Sequence, residues 1–274
     1  MSSANRESML VRPWWVHHTG HPINSIDVDP TGSRFVTGGG DKLVKIWDVD
    51  PLFHFNPASQ NARDGPAPSA SKSSGAPASA GDTDEPVPER SLLCCMDNHN
   101  GAVNCVRFCP AGSMIASASD DRSVILWKMR GPPAARSANA NANGALPSSS
   151  FASSERNGER ESGRNPFRDR GHPEDWYCHG VLLHHSNNVE DVAWAPDSLR
   201  LASCSVDNNV VIWDVARIER LAVLSDHNGW VKGLSWDPLD KFLTTQTADG
   251  VMRVWRTSDW KLEKEVCAVP YCLF

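Results

Sequence analysis

Four tryptophans, Trp47, Trp127, Trp213 and Trp255, each close the same spaced set of side chains. Seventeen residues before each stands a proline (Pro30, Pro110, Pro196, Pro238), ten before a hydroxyl (Thr37, Ser117, Ser203, Thr245), and six before an aspartate (Asp41, Asp121, Asp207, Asp249). Twenty-eight residues before three of them is a histidine, His99, His185 and His227, while His18 precedes Trp47 by one residue more. Four coincident registers define a repeat, and a repeat constrains the fold more than any other signal in a sequence.

Trp213 and Trp255 lie 42 residues apart, inside the range of about 40 to 45 that a β-propeller blade occupies. The other two gaps are 80 and 86 residues, so 38 and 44 residues are surplus to the period. Residues 51–90 are rich in Ala, Ser and Pro, and residues 131–174 in Ala, Asn, Ser, Gly and Arg. Neither segment carries a sustained apolar period, so both are expected to be disordered insertions. Lengthening a connection to some 40 residues costs about 2 kcal/mol of closure entropy, which a folded domain tolerates.

Within a repeat, Val103–Phe108, Met114–Ser117 and Ser123–Trp127 are short apolar-rich runs split by turn residues, the pattern of antiparallel strands. A fourth run follows each anchor: Leu92–Met96, Tyr177–Leu183, Arg220–Leu224 and Lys261–Val266. Four strands per unit make a blade. The expected fold is therefore all-β, with four four-stranded blades over residues 10–274 and repeats at about 17–48, 99–128, 185–214 and 227–256. Residues 1–9 are expected to be disordered, Leu10–Val16 to form an extra strand, and both insertions to leave at the rim between third and fourth strands.

Stacked blades bury polar side chains, and each such group must find a partner or cost about 1 to 3 kcal/mol. Histidine, hydroxyl, aspartate and indole can satisfy one another. The expected structural tetrads are His99, Ser117, Asp121 and Trp127; His185, Ser203, Asp207 and Trp213; His227, Thr245, Asp249 and Trp255. In the first repeat His18, Thr37, Asp41 and Trp47 form the set if a one-residue bulge accommodates His18. A Ser-His-Asp triad uses the same residue types, but a catalytic constellation is needed once and this one recurs in every repeat. No enzyme activity and no cofactor are expected.

Gly38 to Gly40 before Asp41 and Lys42 lacks phosphate-loop spacing and reads as a turn. Cys94, Cys95, His99, Cys105 and Cys109 invite a zinc proposal, yet no paired C-x-x-C occurs and Cys105 falls in a strand, so small buried residues are expected and no metal. The formal net charge of -6 gives no sign of a phosphate-gripping surface. Apolar runs such as Leu92–Met96 are far too short to span a bilayer, and no apolar stretch follows the polar N-terminus as in a secretory leader.

The His, Ser/Thr, Asp, Trp pattern identifies a WD-repeat protein, with the literal Trp-Asp pair in the first and third repeats. Trp15-Val-His-His-Thr-Gly-His-Pro-Ile, Met96-Asp-Asn-His-Asn-Gly-Ala-Val-Asn-Cys-Val-Arg, Leu201-Ala-Ser-Cys-Ser-Val-Asp-Asn, Val231-Lys-Gly-Leu-Ser-Trp-Asp-Pro and Val254-Trp-Arg-Thr-Ser-Asp-Trp-Lys-Leu-Glu resemble the N-terminal half of the propeller of the HIRA histone-regulator family. The resemblance implies a nuclear, non-catalytic scaffold for replication-independent histone deposition and transcriptional repression. It implies ubinuclein-type partners, histones indirectly, and an anti-silencing factor through regions beyond this segment. Relatives have seven repeats, so the four here are expected to be an incomplete ring.

The middle subunit of the chromatin assembly factor shares Val-Asp-Asn and Trp-Asp-Pro and is the alternative. A ubiquitin-ligase substrate receptor is a further one, weakened because Trp127-Lys-Met-Arg130 carries Lys128 where such receptors have aspartate. Propellers dock partners on loops over one face. By register from each histidine the candidates are Asn104, Asp120, Asn188, Glu190, Trp230 and Lys232, and the indole of Trp230, which follows His227-Asn-Gly, is a candidate hot spot with ordinary packing as the alternative. The six arginines between Arg136 and Arg170 read as part of a solvated tether.

Overall fold

The computed structural model describes residues 15–50, 91–130 and 173–267. It contains four four-stranded antiparallel sheets, each built from consecutive strands. Blade 1 comprises β1 (Ile23–Val28), β2 (Arg34–Gly39), β3 (Val44–Asp48) and β4 (Leu92–Met96). Blade 2 comprises β5 (Val103–Phe108), β6 (Met114–Ser119), β7 (Ser123–Met129) and β8 (Trp176–Leu183). Blade 3 comprises β9 (Val189–Trp194), β10 (Arg200–Ser205), β11 (Val210–Asp214) and β12 (Glu219–Leu224). Blade 4 comprises β13 (Val231–Trp236), β14 (Phe242–Thr247), β15 (Val251–Arg256) and β16 (Leu262–Cys267).

The turns repeat as faithfully as the strands. Between first and second strands the chain takes a left-handed residue at Gly32, Gly112, Ser198 and Asp240; between second and third it does so at Lys42, Arg122, Asn208 and Gly250. Each closes a tight turn, as in Gly112 N to Cys109 O at 2.8 Å and Arg122 N to Ser119 O at 3.2 Å. The aspartate six residues before each tryptophan sets the second turn. Its Oδ1 accepts the amide two residues on: Leu43 at 3.2 Å, Ser123 at 3.0 Å, Asn209 at 3.0 Å and Val251 at 3.1 Å. Asp side chains favour this local bond, which is why the type is demanded in every repeat.

Blades stack in sequence order: β1 packs on β5, β5 on β9, and β9 on β13. Among the described residues no comparable packing joins β13 to β1. One apolar cluster fills each gap. Val36, Ile46 and Met96 of blade 1 meet Val106, Ile115 and Trp127 of blade 2. Leu126 and Leu182 meet Val192, Leu201 and Trp213, and Ala202 and Ile212 meet Leu243 and Trp255. Each anchor indole thus faces the preceding blade. Trp47, which meets no preceding blade among the described residues, is covered by Trp15, Phe35 and Val49 instead. Burial of the four anchors is uniform, at 1 to 3% exposure.

Polar stitches cross the same gaps. Asn24 Nδ2 donates to Val103 O and Asn104 Nδ2 to Val189 O, both at 3.0 Å. Ser25 Oγ accepts the Val106 amide at 3.1 Å, and Asp191 Oδ2 accepts the Leu234 amide at 3.0 Å.

Two expectations change on the structure. The extra residue at His18 makes no strand bulge. Thr19 and Gly20 turn left-handed, His21 N bonds His18 O at 2.6 Å, and the insertion is absorbed ahead of β1. The second insertion does not reach residue 174: the Glu174 amide donates to Leu93 O at 3.1 Å and its carboxylate pairs with Arg34 at 3.0 Å. Of the expected strand Leu10–Val16, only Trp15 and Val16 lie within the described residues, and neither is in a strand. Residues 1–9, 51–90 and 131–172 lie outside them.

Candidate docking face

In three blades the four register positions meet in one network. His99 Nε2 lies 2.7 Å from Ser117 Oγ, Trp127 Nε1 donates to the same oxygen at 2.8 Å, and His99 Nδ1 lies 2.9 Å from Asp121 Oδ2. Blade 3 repeats it with His185, Ser203, Trp213 and Asp207 at 2.9, 2.8 and 3.0 Å. In blade 1 His18 lies 2.8 Å from Thr37 Oγ1 and 2.5 Å from Asp41 Oδ1, and Trp47 donates to Thr37 at 2.8 Å. A histidine Nδ1–H facing a carboxylate leaves Nε2 as acceptor, so the hydroxyl donates to it while accepting from the indole.

Blade 4 departs from this arrangement. His227 Nε2 still lies 2.9 Å from Thr245 Oγ1, and Trp255 donates to Thr245 at 3.1 Å. Asp249 accepts from Thr247 and Val251 instead of His227, whose buried Nδ1 has no hydrogen-bond partner. Arg253, only 2% exposed, occupies the site that holds Lys45, Ile125 and Val211 in the other blades. It reaches Thr247 at 3.4 Å and pairs with Glu265 at 2.7 Å. The fourth expected tetrad is therefore a triad, corrected by a buried guanidinium and a threonine hydroxyl that competes for the carboxylate.

These networks are built for stability. Burial alone would raise the Asp121 and Asp207 carboxyls, but hydrogen bonds, led by those from His99 and His185, outweigh it and hold both well below the usual carboxylate range. Burial lowers His18 and His227, aided by Lys45 and Arg253 respectively. Ser117 and Ser203 are fully buried with their oxygens already engaged by histidine and tryptophan, so no acyl substrate can approach them. Among the described residues no three His, Cys, Asp or Glu side chains converge as a metal ion requires.

The six candidate contact residues separate into two groups. Asn104 is spent internally on Asp120 at 2.8 Å and Val189 O at 3.0 Å, and the Asn188 carbonyl accepts the Val206 amide at 3.0 Å. The other four form a charged and aromatic patch across blades 2 to 4. Glu190 is pushed up by burial and by neighbouring Asp120, with Lys232 opposing. Lys232 Nζ lies 4.8 Å over the Trp230 ring. Trp230 is 42% exposed, and its carbonyl is held by the Ala248 amide at 2.9 Å. Trp15 and Trp260, also off the anchor register, pack instead, Trp260 edge-on to Trp236 at 6.1 Å.

The CAF1B/HIR1 beta-propeller domain family matches residues 154–271, and the family described as WD domain, G-beta repeat matches residues 14–48 and 90–128. The chain belongs to the WD-repeat proteins with a CAF1B/HIR1-type propeller. Protein hir1 of Schizosaccharomyces pombe is similar, 31% identical over 260 residues, 93% of this chain and 22% of that protein. HIRA of Homo sapiens is 36% identical over 261 residues, 94% of this chain and 21% of its own length. Protein HIR1 of Yarrowia lipolytica is 32% identical over 251 residues, covering 90% and 20%. This CAF1B/HIR1-type propeller thus spans about a fifth of the length of the curated relatives it matches. The family is generally non-catalytic, and no helix among the described residues is long and apolar enough to cross a membrane.

Proposed function

We propose that this propeller is a scaffold subunit of a HIR/HIRA-type histone chaperone complex, working in the nucleus in replication-independent nucleosome assembly and transcriptional repression. The observation that carries this reading is the similarity to HIR1 and HIRA along nine-tenths of the chain, through all four blades. Its contribution is positional: blades stapled by buried polar networks hold Asp120, Glu190, Trp230 and Lys232 in place as a face for a protein partner. The partners it serves are a ubinuclein-type subunit, histones held indirectly, and an anti-silencing factor bound through other regions.

Affinity purification of the tagged protein from nuclear extract tests this. Core histones and a ubinuclein-type protein are expected in the eluate, and less of both with a Trp230→Ala, Lys232→Ala variant. Recovery of replication-linked assembly subunits in their place would favour the middle subunit of the chromatin assembly factor, a reading the shared CAF1B/HIR1 domain keeps open. Recovery of ubiquitin-ligase subunits alone would contradict both.

A further inference from the structure

We infer that the cleft at the outer rim between blades 2 and 3 is a docking groove for a protein segment that presents an apolar side chain beside a carboxylate. The cleft holds about 480 Å3 between β8 and β12, within the roughly 300 to 1,000 Å3 typical of ligand sites. Both strands are outermost in their sheets, so each carries one edge with no partner strand among the described residues. Buried Leu182 and Trp213 form its base, while Leu183 at 72%, Val181 at 43% and Ile218 at 36% exposure stand along it.

Ile218 is held in an unusual state. It sits in the hairpin joining β11 to β12 with φ of 57°, a left-handed conformation that a β-branched side chain rarely adopts. Gly180 in β8 makes room for it, because a Cβ there would lie 2.6 Å from Ile218 Cδ1. The same turn position in blade 4, Trp260, is left-handed as well, with φ of 57°, so the conformation belongs to the hairpin between third and fourth strands. Here it keeps an aliphatic side chain at the groove instead of in a core.

The polar side of the cleft selects the second feature of the occupant. Arg220 reaches His184 Nδ1 at 2.8 Å and has no carboxylate within ion-pair distance among the described residues, although Glu219 also lines the cleft. Burial and the guanidinium both lower the His184 pKa, and the ring supplies no negative charge to Arg220. A guanidinium offers two parallel donors that match a carboxylate. An incoming acidic group would pair with Arg220 while an adjacent aliphatic group covers Leu183, Val181 and Ile218.

A random peptide display library panned on the full 274-residue chain, with the Leu183→Ser, Arg220→Gln double variant as the subtracting bait, tests the groove. Enriched peptides are expected to pair an aliphatic residue with Asp or Glu. Labelled copies should lose at least tenfold in affinity on either single variant and none on Trp230→Ala, with unchanged circular dichroism and melting temperature for all three proteins. Absence of any peptide sensitive to both variants, or enrichment of basic peptides, would overturn the inference. Neither result bears on the face around Trp230.

Discussion

Asp249 turns its carboxylate to Thr247 and the Val251 amide and leaves the Nδ1 of His227, its register partner, unpaired. In the second and third blades the same carboxylate bonds both the following turn and the histidine. His99→Ala should therefore destabilise the fold more than His227→Ala. Removing a partner from a satisfied buried network costs about 1 to 3 kcal/mol per orphaned group, and His227 has one fewer group to orphan. Urea unfolding monitored by tryptophan fluorescence should give a difference of about 1 kcal/mol, His99→Ala being the weaker protein. Equal losses would mean the Asp121 contact contributes nothing.

The anchor indoles should outweigh any single polar contact. Trp127→Ala and Trp213→Ala empty the gaps between neighbouring blades, where both rings are almost wholly buried, and should each cost about 3 to 5 kcal/mol. Trp230→Ala removes a ring that is 42% exposed and should change stability by about 0.5 kcal/mol or less. Thermal melts of the three variants check the order.

Acid should weaken the fold in two windows. His18 and His227 have pKa values lowered by burial, so the unfolded chain binds protons more readily and stability falls as pH drops below about 6.5. Asp121 and Asp207 are held low in the folded chain, so their contribution is present above about pH 4 and lost as pH falls through the folded values. The variants Asp121→Asn and Asp207→Asn should shrink the lower window, leaving the part owed to Asp29, Asp41 and Asp197. Stability measured by denaturant titration from pH 8 to 3 follows both.

Among the described residues, thiol chemistry should separate the buried Cys94, Cys105 and Cys204 from the exposed Cys267. Burial raises Cys94 to about 12 and pushes Cys105 and Cys204 higher than a free thiol, whereas Cys267 is exposed. Brief iodoacetamide treatment at neutral pH, read by peptide mass spectrometry, should modify Cys267 and spare Cys94, Cys105 and Cys204 until urea is added, since the thiolate is the nucleophile.

Much of the blade architecture could be read from spacing because each register position answers a local demand. The aspartate makes the turn, the tryptophan fills the gap between blades, and the hydroxyl joins indole to histidine. The departure at Asp249 was illegible because its turn role is kept: Thr247 stands where Ser119 and Ser205 stand in the intact networks, but its hydroxyl donates to the carboxylate and meets the buried Arg253. Asn104 looks like a surface residue in sequence, but its bond to Val189 O crosses a blade gap that a repeat period does not describe, while the Asn188 carbonyl bonds Val206 within blade 3. The same limit hid Gly180 and Ile218, which come from different blades and meet only when these stack.

The claim that this propeller acts through a docking face can be tested most directly by amine-reactive cross-linking mass spectrometry of the tagged protein with the complex it recovers from nuclei. Cross-links from Lys232 to a partner subunit are expected, and they should be lost when Trp230 is replaced by alanine. Links to partners running only from Lys128, Lys261 or Lys264, with Lys232 free and freely modified, would contradict it.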